Sequence, residues 1–163
     1  MLETRYVVGN NLKRRKKVLD FKLDGKYVRE QFDVKSDKLI KLMYDWDAKQ
    51  WAVFYHCNCN LDLVKDISEL DIDDEEFYFE GEDLLVLTDS EADDRWEDEL
   101  DSYIEDCLEI PDWIRPYFDD EAWKSDARYD GRGHAISRYD GVENDYCFDF
   151  DDGSRSWVYL YRM

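Results

Sequence analysis

Hydrophobic and polar positions alternate over residues 16–33. Val18, Asp20 and Lys22 interleave with Leu19, Phe21 and Leu23, and Tyr27, Arg29 and Gln31 with Val28 and Phe32. Asp24-Gly25 between the two runs is a favoured two-residue turn, so the pattern predicts a β-hairpin. Ser36 is placed to cap a short helix through Met43, with Leu39, Ile40, Leu42 and Met43 as its apolar surface. The aromatic and β-branched run from Trp51 to His56 predicts a buried strand. Leu63, Val64, Ile67 and Leu70 then fall at helical spacing.

A second hairpin is expected from Phe77-Tyr78-Phe79, a polar turn over 80–83, and Leu84 to Leu87. Thr88-Asp89-Ser90-Glu91 is a capping box that announces a helix starting at Asp89. Ala92, Trp96, Leu100, Tyr103, Ile104, Cys107 and Leu108 supply one stripe, and Pro111 ends it. Residues 113–126 predict another short helix, broken or started at Pro116. Tyr146 to Phe150 and Ser156 to Arg162 predict a closing pair of strands across Asp151-Asp152-Gly153-Ser154. Strands and helices are segregated, so the expected class is α+β: antiparallel hairpins with a few amphipathic helices and a strongly acidic surface. A β-rich N-terminal part, 1–86, precedes an acidic helical segment with a C-terminal hairpin, 87–163; the two can form one compact domain.

Charge changes this picture more than composition does. Residues 1–60 carry 13 Lys/Arg against 8 Asp/Glu, and residues 61–163 carry 9 against 34, within a total formal charge of −20. The stretch 89–109 alone holds carboxylates at 89, 91, 93, 94, 97, 98, 99, 101, 105, 106 and 109, with Arg95 as its one cation. Such a density opposes compaction through self-repulsion. Disordered acidic tails avoid that cost but lack aromatics, which here make up 16% of the chain. An ordered acidic body suits a basic partner, and it disfavours direct binding to nucleic acid or an anionic membrane. No apolar run reaches the roughly 20 residues of a membrane span. Without an apolar leader at the N-terminus, the four cysteines are expected as reduced thiols in a cytoplasm.

Specific chemistry is sparse. His56, Cys57 and Cys59, with Cys107 and Cys147, hold soft ligand atoms, but the C-x-C spacing lacks the paired C-x2-C of structural zinc sites. Asp149-Phe150-Asp151-Asp152-Gly153-Ser154 lacks the later acids of a calcium loop, and Gly131-Arg132-Gly133-His134 matches no phosphate loop. No nucleophile–base pair stands out around His56 or His134, so neither an enzyme, a metal nor a cofactor is expected. The run Lys13-Arg14-Arg15-Lys16-Lys17 reads as a sheet edge protected against aggregation, or as a dock for the acidic half of a second copy in a homodimer.

Two stretches carry a resemblance. Leu87-Thr-Asp-Ser-Glu-Ala-Asp93, Asp130-Gly-Arg-Gly-His134 through Tyr139-Asp140-Gly141-Val-Glu143, and Tyr159-Leu-Tyr161-Arg162 are similar to small acidic accessory proteins of phages and plasmids. Tyr117-Phe118-Asp119-Asp120-Glu121-Ala122, followed by Asp126, resembles a segment of the ArdA-type antirestriction proteins, acidic dimeric DNA mimics that occupy the DNA groove of restriction enzymes. The second resemblance implies packing roles for Tyr117, Phe118 and Ala122 and surface charge at Asp119, Glu121 and Asp126. Together they imply a counter-defence protein of the host bacterial cytoplasm. Its partner would be a host DNA-binding protein or nucleoprotein complex, a restriction–modification enzyme or a CRISPR effector. The expected contact residues are Asp89, Glu91, Asp93, Asp94, Glu97, Asp98, Asp101, Glu105, Asp106, Asp119 and Glu121. Without mimicry, an inhibitor anchored by exposed aromatics such as Trp46, Trp113 and Trp123 is the alternative.

Overall fold

A computed structural model describes residues 7–8, 19–20, 25–70, 75–149 and 155–163. In chain order these form β1 (Val7–Val8), β2 (Leu19–Asp20), α1 (Gly25–Phe32), α2 (Asp37–Tyr44), α3 (Ala48–His56), α4 (Val64–Ser68), β3 (Glu76–Phe79), β4 (Glu82–Thr88), α5 (Asp89–Asp106), α6 (Asp120–Ala127), α7 (Arg132–Ile136), β5 (Asn144–Asp149) and β6 (Arg155–Arg162). The fold is α+β. The strands make one sheet in the order β1-β5-β6-β4-β3, antiparallel throughout that path, with β2 added parallel to β5. The boundary between residues 86 and 87 falls within β4, whose residues Leu84–Thr88 pair with β6.

Both faces of the sheet are covered, and this explains the unbroken apolar run of β4. Leu84 and Val86 face one cluster together with Tyr146, Phe148, Val158 and Leu160, beneath α2, α3 and α4. Leu85 and Leu87 face the other with Tyr159 and Tyr161, beneath Ala92 of α5 and Ile136 of α7. The first cluster is aromatic: Trp51 meets Trp46 edge-on at 5.0 Å, and Phe54 meets Phe32 at 5.3 Å. The β3–β4 turn has only Glu80 and Gly81 between the strands, both at positive φ (49° and 88°), which matches the right-handed twist of a hairpin.

Two strand expectations fail. The return strand of the first hairpin is helix α1, because Phe32 buries against Trp51, Phe54 and Tyr55 of a neighbouring helix. Trp51–His56 is buried as expected, but within helix α3. Its start is a capping box: the Asp47 carboxylate accepts from the Gln50 amide, and the Gln50 side chain accepts from the Asp47 amide. The helix stops where Asn58 and Cys59 take positive φ. Elsewhere the pattern holds with shifted limits. Ser36 precedes α2 but its hydroxyl accepts no capping hydrogen bond, 61–70 is a 3-10 turn leading into α4, and 113–126 is a 3-10 turn at Arg115–Tyr117 followed by α6. The turn at 151–154, the calcium-like loop beyond Asp149 and the basic run 13–17 lie outside the described residues.

Helix α7 sits directly on the 141–143 backbone. A Cβ on Gly133 would lie 2.6 Å from the Gly141 carbonyl oxygen and 2.8 Å from the Glu143 nitrogen. In an open helix Gly→Ala stabilises, by up to about 1 kcal/mol. Here Gly133→Ala is expected to destabilise by about 1–3 kcal/mol through overpacking against backbone. A lowered urea midpoint at unchanged m-value checks the sign.

Candidate partner-binding surface

Helix α5 is nucleated by its own first turn. The Thr88 hydroxyl accepts from the Glu91 amide, and Glu91 Oε2 accepts from the Thr88 amide at 2.7 Å and its hydroxyl at 2.9 Å. Ala92, Leu100 and Ile104 are buried, and Trp96 is partly so. The far ends of the expected stripe, Tyr103 and Cys107, are exposed, and the helix stops at Asp106 rather than running on to Glu109.

The carboxylates of α5 divide into two sets. Lys49, only 2% exposed, donates to Glu91 at 3.0 Å. Lys124, 4% exposed, is held 2.5 Å from both Glu97 and Asp101 and 3.5 Å from Glu121. Arg128 also bonds Glu97. Arg132 lies 4.2 Å above the Tyr159 ring and donates to Asp93 at 2.7 Å, to Asp89 at 3.4 Å and to Glu143 at 3.0 Å, while the buried Tyr161 hydroxyl donates to Glu143 at 2.7 Å. Glu99 pairs with Arg95 in the same helix and with Arg138. Asp94, Asp98, Glu105 and Asp106 are exposed and make no ion pair among the described residues. Asp119 caps α6 by accepting from the Ala122 amide.

Of the expected contact residues, the structure thus brings Asp89, Glu91, Asp93, Glu97, Asp101 and Glu121 onto internal cations and leaves Asp94, Asp98, Glu105 and Asp106 turned outward. Lys49, Lys124 and Arg132 are the residues that sequence reasoning missed. Their α5 partners Glu91, Glu97 and Asp93 stand 42, 27 and 39 residues away, and of their acids only Glu121 stands within a turn, beside Lys124. Acids on 62–69 do not extend the charge line of α5, since Val64 and Ile67 anchor that segment in the cluster on the opposite face of the sheet.

Exposed aromatics lie beside the acids: Trp113 is 74% exposed, Tyr117 86% and Tyr129 89%. Tyr117 and Ala122 are therefore not packing residues, while Phe118 is half-buried. Trp123 is half-buried and stacks on Tyr103 at 5.6 Å. Trp46 is not an exposed anchor; it is buried and donates its indole N–H to Ser68 at 2.7 Å. Burial pushes the Cys57 thiol up to about 12, so it stays protonated at neutral pH and is a poor nucleophile or ligand. Burial also lowers His56, whose Nδ1 is 3.0 Å from the Tyr146 hydroxyl. No group of three or more His, Cys, Asp or Glu among the described residues is placed to hold a metal. No helix among them is long and apolar enough to cross a membrane. The chain matches no family model, no curated protein and no solved structure.

Two predictions follow from the ion pairs. Gln serves the capping box as well as Glu, so Glu91→Gln isolates the charge opposite Lys49. Breaking a fully buried pair costs about 3–5 kcal/mol; with Glu91 partly reached by water, a loss of about 1–2 kcal/mol is expected in urea unfolding. The second concerns pH. The Lys124 ammonium, with Arg128 behind it, holds Glu97 below its ordinary value of 4.5. At Glu91 burial pushes the carboxyl up, but the Thr88 amide and the Lys49 ammonium outweigh it and the net shift is again downward. Both contributions are complete above about pH 4.5 and are lost as pH falls through the lower folded-state values. The urea midpoint should be flat from pH 7 to 5 and fall below 4.5, and less steeply in Lys124→Met.

Proposed function

We propose that this protein is a non-enzymatic counter-defence inhibitor of phage or mobile-element origin that occupies the DNA-binding groove of a host restriction or CRISPR enzyme in the cytoplasm. The observation that supports this reading is the outward strip of α5. Asp94, Asp98, Asp101 and Glu105 fall within about 60° of one another around the helix and span about 16 Å of its axis. One strand of duplex DNA presents a phosphate every ~3.4 Å of axis; the strip presents a carboxylate every ~5.5 Å, a sparser line of charge of the same sign. The helix is backed by a sheet, and its inner acids are already satisfied. The outward acids therefore keep their charge for arginines and lysines of the target. Asp101 is shared with Lys124 and belongs partly to the scaffold.

A second reading rests on the exposure of Trp113, Tyr117 and Tyr129. An inhibitor anchored by these rings would need no groove and no mimicry. Salt separates the two readings, since charge pairing is screened over a Debye length of ~10 Å at 0.1 M and aromatic burial is not.

The test is competition with DNA. Restriction and CRISPR effector enzymes would be captured on the tagged protein, eluted with duplex DNA, and assayed for DNA binding with and without it. Inhibition should fall more than tenfold between about 50 and 200 mM salt. It should be lost in the triple variant Asp94→Asn, Asp98→Asn, Glu105→Gln, which removes no internal ion pair and should melt like the parent. Undiminished inhibition by the folded triple variant would sink the mimicry reading.

A further inference from the structure

A half-open cavity of about 380 Å³ lies between α5, α6 and α7, lined by Glu99, Leu100, Tyr103, Trp123, Asp130 and His134, with Ala127, Gly131 and Ala135 completing the wall. Its size is at the low end of the ~300–1,000 Å³ range of ligand pockets, so it suits one side chain rather than a folded segment. The lining combines two features. Tyr103 and Trp123 stack at 5.6 Å and 12°, which presents a rigid π surface. Asp130 is exposed and makes no ion pair among the described residues, while Glu99 is shared between Arg95 and Arg138.

We propose that this cavity is a specificity pocket for one arginine side chain of the protein partner, with its guanidinium plane on the Tyr103–Trp123 stack and its N–H groups donating to Asp130. This deepens the reading of a basic partner and rests on it for the partner's character. The unpaired carboxylate of Asp130 selects a cation, while Asp94, Asp98 and Glu105 lie on the other side of α5 from Tyr103 and add only long-range attraction. The stack selects arginine over lysine, since a planar, weakly hydrated guanidinium lies flat on a ring and still forks onto a carboxylate. The chain itself uses this arrangement: Arg132 lies 4.2 Å above Tyr159 and Arg162 lies 4.1 Å above Tyr139, each also paired with acids. The pocket offers the same ring and acid to an arginine from outside. His134, exposed on α7, completes the wall opposite the rings' own helices. The outward strip would then supply long-range attraction, and the pocket would fix register.

The isolated protein tests this without the partner. Nα-acetyl-arginine amide would be titrated while the Trp123 indole N–H is followed by NMR, with the citrulline amide, the same shape without charge, as control. A saturable shift is expected, with citrulline about tenfold weaker, the lysine amide weaker than arginine, and Asp130→Asn weaker by about threefold because this carboxylate is exposed. Asp130 lies on the surface, so this variant should keep its parent melting curve; Trp123→Leu, followed through the Gly131 backbone amide instead, should show no saturable shift. Equal responses to arginine and citrulline, no saturation, or an unchanged affinity in Asp130→Asn would overturn the pocket. None of these outcomes touches competition with DNA by the outward strip. Loss of that competition would in turn leave arginine binding unchanged.

Discussion

Helix α5 carries ten carboxylates in 18 residues, and it can lie on a sheet only if those nearest the protein are neutralised. Lys49 from α3, Lys124 from α6 and Arg132 from α7 do this from three separate elements. Each is a cation withdrawn from water, and each is tolerated because two or more acceptors or a ring surround it. The arrangement works in both directions. The cations let the acids approach the core, and the acids let three long basic side chains be buried. Helices α6 and α7 are thereby tied to α5 by charge as well as by the Tyr103–Trp123 stack and the packing of Ile136 with Ala92.

The two faces of the sheet divide the work. Beneath α2, α3 and α4 the interior is aromatic and aliphatic, built from edge-to-face rings that bury large areas, and it resembles the core of any stable small domain. Beneath α5 and α7 the interior is thinner, and Tyr159 and Tyr161 serve as much as partners of Arg132 and Glu143 as they do as apolar bulk. The surface proposed for partner binding lies on the second face. A helix capped at Thr88 and clamped along one side holds its remaining acids at fixed spacing, which a disordered acidic tail cannot do. Charge left over after internal pairing, rather than charge in total, is what such a surface offers a partner.

Much of the local structure was legible. The Thr88–Glu91 box, the stripe of α5, the second hairpin and the closing pair of strands are written in spacings of a few residues, and the α+β class follows from them. The failures at α1 and α3 have different physical causes. At α3 a short apolar run is compatible with either period, and burial on all sides erases the polar alternation that would decide. For α3 a signal was present and outweighed: Asp47 and Gln50 are three apart and form a capping box. For α1 the deciding contact is Phe32 against the rings of α3, which no window around residue 28 contains.

The sequence by itself determined the acidic line at 89–109, the residue that caps it and the face it would bury, because each depends on chemistry within a turn or two of helix. Only the tertiary structure decided which acids remain free. That choice depends on cations arriving from other elements, as Lys124 and Lys49 do from 27 and 42 residues away, on both faces of the sheet being covered, and on a tryptophan from α6 meeting a tyrosine from α5 beside an unpaired aspartate. Coulomb attraction and packing act through space, and the chain's order carries no direct record of those distances.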